Sequence, residues 1–82
     1  MNENEYFETS DLSLVAALCS FGAKIEALER NNGPRVVFYI KREKGLDQLV
    51  RVFYARELQV DPLTYYNCLR DAKSRLYGSP IE

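Results

Sequence analysis

The sequence predicts a small α+β domain with helices packed on one face of an antiparallel sheet. Three observations predict it. Val36, Phe38 and Ile40 alternate with Arg35, Val37, Tyr39 and Lys41, the period of a half-buried strand. Asn31-Asn32-Gly33-Pro34 just before that run is a hairpin signal, because Asn-Gly favours the positive backbone angles of a tight turn. The stretches after Asp11, Gly45 and Asp61 carry apolar residues at helical spacing. Eighty-two residues make one domain (residues 1–82), with an ordered core expected over about 6–77. Loose ends are expected at Met1 to Glu5 and Gly78 to Glu82.

Tyr6 to Thr9 reads as a short leading strand that would complete the sheet. Ser10 or Asp11 then caps a first helix running to about Phe21, and Gly22 stops it. Leu12, Leu14, Val15, Leu18 and Phe21 place apolar side chains on nearly every face, so this helix is enclosed on several sides or lies at an interface. Ala23 to Arg30 reads as a strand, with Leu28 breaking strict alternation. Arg35 to Lys41 is its hairpin partner, with Val36, Phe38 and Ile40 facing the core. Lys41 to Gly45 is a charged turn. A second helix is expected from Leu46 to Glu57, with Leu46, Leu49, Val50 and Phe53 inward. Leu58-Gln59-Val60 connects it to a third helix, capped by Asp61, opened by Pro62 and running to about Tyr77. Tyr65, Leu69, Ala72 and Leu76 form its inner stripe, with Cys68 beside it; Gly78 and Pro80 end it.

Composition excludes several classes of function. There is no histidine, which removes the commonest general base and the imidazole metal ligand. Two cysteines without a Cys-x-x-Cys pair cannot supply a four-ligand zinc site, and both are expected to be reduced, buried thiols. No glycine-rich phosphate loop or calcium-loop spacing occurs. The expectation is therefore a protein that is not an enzyme and needs no cofactor and no metal. The acidic start is no secretory signal, and the apolar run from Leu12 to Phe21 is too short to span a membrane. The chain is read as cytoplasmic.

Charge is nearly balanced, 11 Lys plus Arg against 12 Asp plus Glu, but it is unevenly placed. Residues 1–29 hold six acids against Lys24, a net of −5, and residues 30–75 hold ten bases against five acids, a net of +5. Three aromatic pairs are interleaved with those bases: Phe38-Tyr39, Phe53-Tyr54 and Tyr65-Tyr66. One ring of each pair can point inward while its neighbour points out. An exposed ring beside a cation can stack on an unpaired base while the cation meets phosphate. Arg35, Tyr39, Lys41, Arg51, Tyr54, Tyr66, Arg70 and Lys73 are the candidate nucleic-acid contacts. Such a site needs Arg51, Arg70 or Lys73 to share one face with an outward tyrosine; otherwise these bases and rings are an ordinary solvated surface.

The leading expectation for function is a non-catalytic protein-interaction module that associates with itself. The first helix is unusually apolar, the sheet is small, and its edges could pair with another chain. A monomer with that helix central to its core is the alternative. A single-stranded nucleic-acid-binding accessory protein is the second functional reading.

The order and spacing of these pieces, from Tyr6-Phe7-Glu8-Thr9-Ser10-Asp11 through Arg35-Val36-Val37-Phe38-Tyr39-Ile40, Leu58-Gln59-Val60-Asp61-Pro62 and Leu69-Arg70-Asp71-Ala72-Lys73 to Tyr77, resemble a family of small bacterial, archaeal and phage proteins known only as a domain of unknown function. The resemblance spans roughly Tyr6 to Tyr77. It implies a stand-alone prokaryotic or mobile-element domain and brings no activity, cofactor or site residue.

Overall fold

The computed structural model describes residues 5–30 and 35–77. The element order is β1 (Tyr6–Thr9), α1 (Leu12–Ser20), β2 (Ile25–Arg30), β3 (Val36–Lys41), α2 (Leu46–Tyr54) and α3 (Pro62–Leu76). The protein is thus α+β, and the short leading strand is present. The strands form one antiparallel sheet in the order β1-β3-β2, so β3 is central and β1 and β2 run parallel to each other on its two sides. The expected Asn31–Pro34 turn and the Gly78 and Pro80 stop signals lie outside the described residues.

The two faces of β3 divide as its alternation predicts. Val36, Phe38 and Ile40 are buried, while Val37 and Tyr39 are half-buried and Lys41 is exposed. The buried set meets Leu14, Val15 and Leu18 of α1, Leu46 of α2 and Ala72 of α3. All three helices therefore lie on one side of the sheet. The break in β2 also has a physical reason. Ile25 pairs with Ile40, but Ala27 pairs with Tyr39 and Leu28 with Phe38, so the register shifts between Ile25 and Ala27. Glu26 is the extra residue of a β-bulge, which lets Ile25 and Leu28 both face the core although they are three apart.

Helix α1 is enclosed, as its composition requires. Leu14, Val15, Ala16, Ala17 and Leu18 are five consecutive buried residues. Asp11, rather than Ser10, is its N-cap. The helix packs closely against α3, touches α2, and turns its remaining side to the sheet. Its apolar girdle is thereby used within one chain. Among the described residues no helix is long and apolar enough to cross a membrane.

Four elements are one or two residues shorter than their apolar patterns suggest: Phe21 is the cap of α1, β2 starts at Ile25, β3 at Val36, and α3 ends at Leu76. The larger correction is in α2, which stops at Tyr54 and not at Glu57. Arg56 takes the left-handed conformation at φ 64°. Its backbone N–H donates to the Phe53 carbonyl, and that of Glu57 donates to the Val52 carbonyl, each at 3.0 Å. This is a Schellman C-terminus made without glycine. An arginine there carries the steric strain of a Cβ at positive φ. Arg56→Gly is therefore expected to stabilise the fold by about 0.5–1 kcal/mol, measured by urea denaturation; an unchanged or lower midpoint would refute the strained cap.

Candidate functional site

The eight candidate residues do not form one surface. Arg35, Tyr39 and Lys41 belong to β3 or its approach, and Tyr39 and Lys41 lie on the sheet face away from the helices. Arg51 and Tyr54 lie on α2, and Tyr66, Arg70 and Lys73 lie on α3. Each group must be judged by what its side chains touch.

On the sheet, Glu8 is directly opposite Tyr39, and the Tyr39 hydroxyl donates to Glu29 Oε1 at 2.8 Å. That hydrogen bond, with the charges of Glu29 and Glu8, raises the Tyr39 pKa. A ring flanked by two carboxylates is a poor platform for a phosphate-bearing ligand, despite Lys41 nearby. Arg35 donates from Nε to Ser10 Oγ at 3.1 Å, away from Tyr39.

On α2, Tyr54 is exposed, but its hydroxyl donates to Asp11 Oδ2 at 3.0 Å and its ring meets Phe53 edge-on at 5.0 Å. Desolvation and the Asp11 carboxylate raise its pKa. Arg51 donates to Gln48 on the preceding turn. Tyr54 is thus a clasp between α2 and the N-cap of α1.

Helix α3 differs. Asp61 caps it, accepting from the Thr64 backbone N–H at 2.9 Å, and Pro62 opens it. Its inner side is committed: Ala72 is buried, and Tyr65, Cys68, Leu69 and Leu76 are half-buried. The outer side carries Leu63, Tyr66, Arg70, Lys73 and Tyr77 at intervals of three, four, three and four, one stripe along the helix. Leu63, Tyr66 and Tyr77 are 67%, 55% and 75% exposed, three of the most exposed large apolar side chains described. The Arg70 guanidinium lies 5.8 Å from the Tyr66 ring centroid, a cation–π contact. Asn67 and Ser74 flank the stripe and line a surface depression with Arg70 and Asp71. Asp71, the one acid within the helix, stands to the side and is engaged by Arg75 Nε at 3.3 Å. Neither Arg70 nor Lys73 forms an ion pair with a described residue.

Helix α3 is therefore where cations and an outward ring meet: Tyr66, Arg70 and Lys73 come together, while Tyr39 and Tyr54 are turned to acids. Leu63 and Tyr77 belong to the same stripe and were missed in the sequence. The three-four spacing from Tyr66 was the signal, masked because both residues lie at helix ends. Chemically the stripe can stack a planar group and pair with an anion. The cysteines offer less. Both are free and half-buried rather than fully buried, and burial, with smaller contributions from nearby Cys68 and Asp71 that outweigh the opposing charge of Arg75, pushes the Cys19 thiol up to about 11. At neutral pH it is a thiol, the poorly nucleophilic form. Among the described residues no three of His, Cys, Asp and Glu gather as metal ligands would.

The Asp11 clasp gives a testable pH dependence. Asp11 accepts from Ser13 Oγ at 2.7 Å and from the backbone N–H groups of Ser13 and Leu14 at 3.1 and 3.3 Å. The Ser13 hydroxyl is the largest influence, and with Tyr54 and those amides it outweighs desolvation and lowers the Asp11 pKa. A depressed carboxylate contributes stability that is present above its unfolded pKa and lost as pH falls through its folded one. Asp11→Ala is expected to cost about 1 kcal/mol at pH 7, with the gap to wild type closing below about pH 4. Thermal melts across pH check this; a gap independent of pH would remove the charge from the explanation.

No curated protein and no solved structure gives a significant match to the sequence. The family model described as Domain of unknown function (DUF5659) matches residues 4–78, nearly the whole chain, and the chain belongs to that family.

Proposed function

We propose that this is a non-catalytic binding module that holds single-stranded nucleic acid on the outer side of α3, with little sequence preference. The observation that carries the reading is the cluster of Tyr66, Arg70 and Lys73 on a stripe that contains no acid. The exposed ring supplies a stacking platform for an unpaired base, and the two cations face the backbone. A duplex keeps its bases stacked inside, so exposed tyrosines favour a single strand. The 15 residues of α3 extend about 22 Å, room for about four nucleotides. The same stripe is poorly suited to a second copy of itself: antiparallel pairing sets Arg70 on Arg70, and parallel pairing also sets Lys73 on Lys73. The proposed setting is the cytoplasm, where free thiols persist.

Fluorescence anisotropy with a labelled oligothymidine tests this. Two phosphate contacts predict that the logarithm of affinity falls with that of salt at a slope of about −1.4, and Arg70→Ala should reduce it to about −0.7. Tyr66→Ala should weaken binding by about 1–3 kcal/mol while leaving the slope unchanged. Absence of binding at low salt, or wild-type affinity in an R70A/K73A double variant, would sink the proposal.

A further inference from the structure

We propose that the free edge of β1 pairs with β1 of a second copy, joining two sheets into one of six strands. This is independent of the α3 reading and rests on backbone geometry. The Arg42 N–H donates to the Glu5 carbonyl at 2.8 Å, which makes Glu5 and Arg42 a hydrogen-bonded pair next to the ladder. Antiparallel ladders alternate hydrogen-bonded and non-hydrogen-bonded pairs. With Tyr6 opposite Lys41 and Phe7 opposite Ile40, Phe7 and Thr9 then point their backbone groups at β3. Tyr6 and Glu8 point theirs away from it. Among the described residues no strand lies on that side.

The two sheet edges are unequally protected. The β2 edge carries the Glu26 bulge and charged Glu29 and Arg30, devices that discourage strand addition. The β1 edge carries neither bulge nor proline nor lysine, and its sequence is Tyr-Phe-Glu-Thr.

The sequence of β1 also selects the occupant. A two-fold axis at Phe7 sets Tyr6 of each copy against Glu8 of the other. The four-residue strand then uses both outward-facing residues, giving four backbone hydrogen bonds between the copies. Each tyrosine then stands directly opposite a carboxylate across the strands, the arrangement Tyr39 and Glu8 already have within the sheet. Phe7 meets Phe7 on the inner face. Centring the axis on Glu8 would oppose two like charges, and centring it on Tyr6 would leave Glu8 without a partner in the other β1. The contact is isologous and closes at two copies.

Sedimentation and amide hydrogen exchange on the wild-type protein test this together. The expected result is a particle approaching twice 9.5 kDa as concentration rises. The Tyr6 and Glu8 amides should gain protection in step, while those of Phe7 and Thr9 are protected throughout. Glu8→Pro removes one outward donor without taking a bond from the β1–β3 ladder. It should raise the dissociation constant by about tenfold or more, with circular dichroism reporting the fold. A wild-type chain that stays monomeric into the millimolar range, with freely exchanging Tyr6 and Glu8 amides, overturns the proposal. A folded Glu8→Pro variant that dimerises like wild type also overturns it. If the variant fails to fold, the wild-type exchange pattern decides alone.

Discussion

The enclosure of α1 on every side dictates where the sheet and the other two helices must lie. Five consecutive buried positions, Leu14 to Leu18, leave the middle of that helix no side for water. A three-stranded sheet can cover only one side of a helix, so others must be supplied by helices. Helix α3 supplies most of that cover, and Ala72 at zero exposure marks the core side of its inner stripe. With no polar or charged side chain buried among the described residues, the core is held by apolar contact alone. Committing one side of α3 to α1 leaves the neighbouring side, with Tyr66, Arg70 and Lys73 about 100° round the helix, facing water. The side proposed to bind is thus fixed by a packing requirement on another element.

The uneven charge of the chain takes on a spatial meaning in this fold. The acid-rich first third contributes Glu8, Asp11 and Glu29, and these carboxylates stand beside Tyr39 and Tyr54. Two of the three candidate rings are therefore bound up in structural contacts with acids. The acid-poor outer side of α3 escapes them, because its sole helical acid is paired with Arg75. A near-zero net charge is compatible with a local surface for an anion when acids and bases sort to different sides.

Much of the fold was legible because its signals are local. The alternation of Val36, Phe38 and Ile40 placed β3 and its buried face, and Asp11, Asp61 and Pro62 marked helix starts. What could not be read depends on backbone geometry or distant partners. Leu28 looked like a fault in alternation until the Glu26 bulge explained it. The end of α2 was missed because Arg56 occupies the left-handed position that normally announces itself as glycine. The site was only partly legible for the same reason. An inward-outward split is visible in Phe38-Tyr39, Phe53-Tyr54 and Tyr65-Tyr66, but the carboxylate awaiting Tyr54 lies 43 residues away in the chain. Leu63 and Tyr77 were passed over because each belongs as much to a helix boundary as to a stripe.

If the outer side of α3 is the binding side, as proposed, with the sheet face engaged elsewhere, a ligand touches one set of residues and spares the other. A backbone amide NMR titration with a short oligothymidine tests it most directly. Shifts are expected at Leu63, Tyr66, Arg70, Lys73 and Tyr77, with Tyr39, Lys41 and Tyr54 unmoved. Shifts centred on Tyr39 and Lys41, or a spectrum unchanged at saturating oligonucleotide, would contradict it.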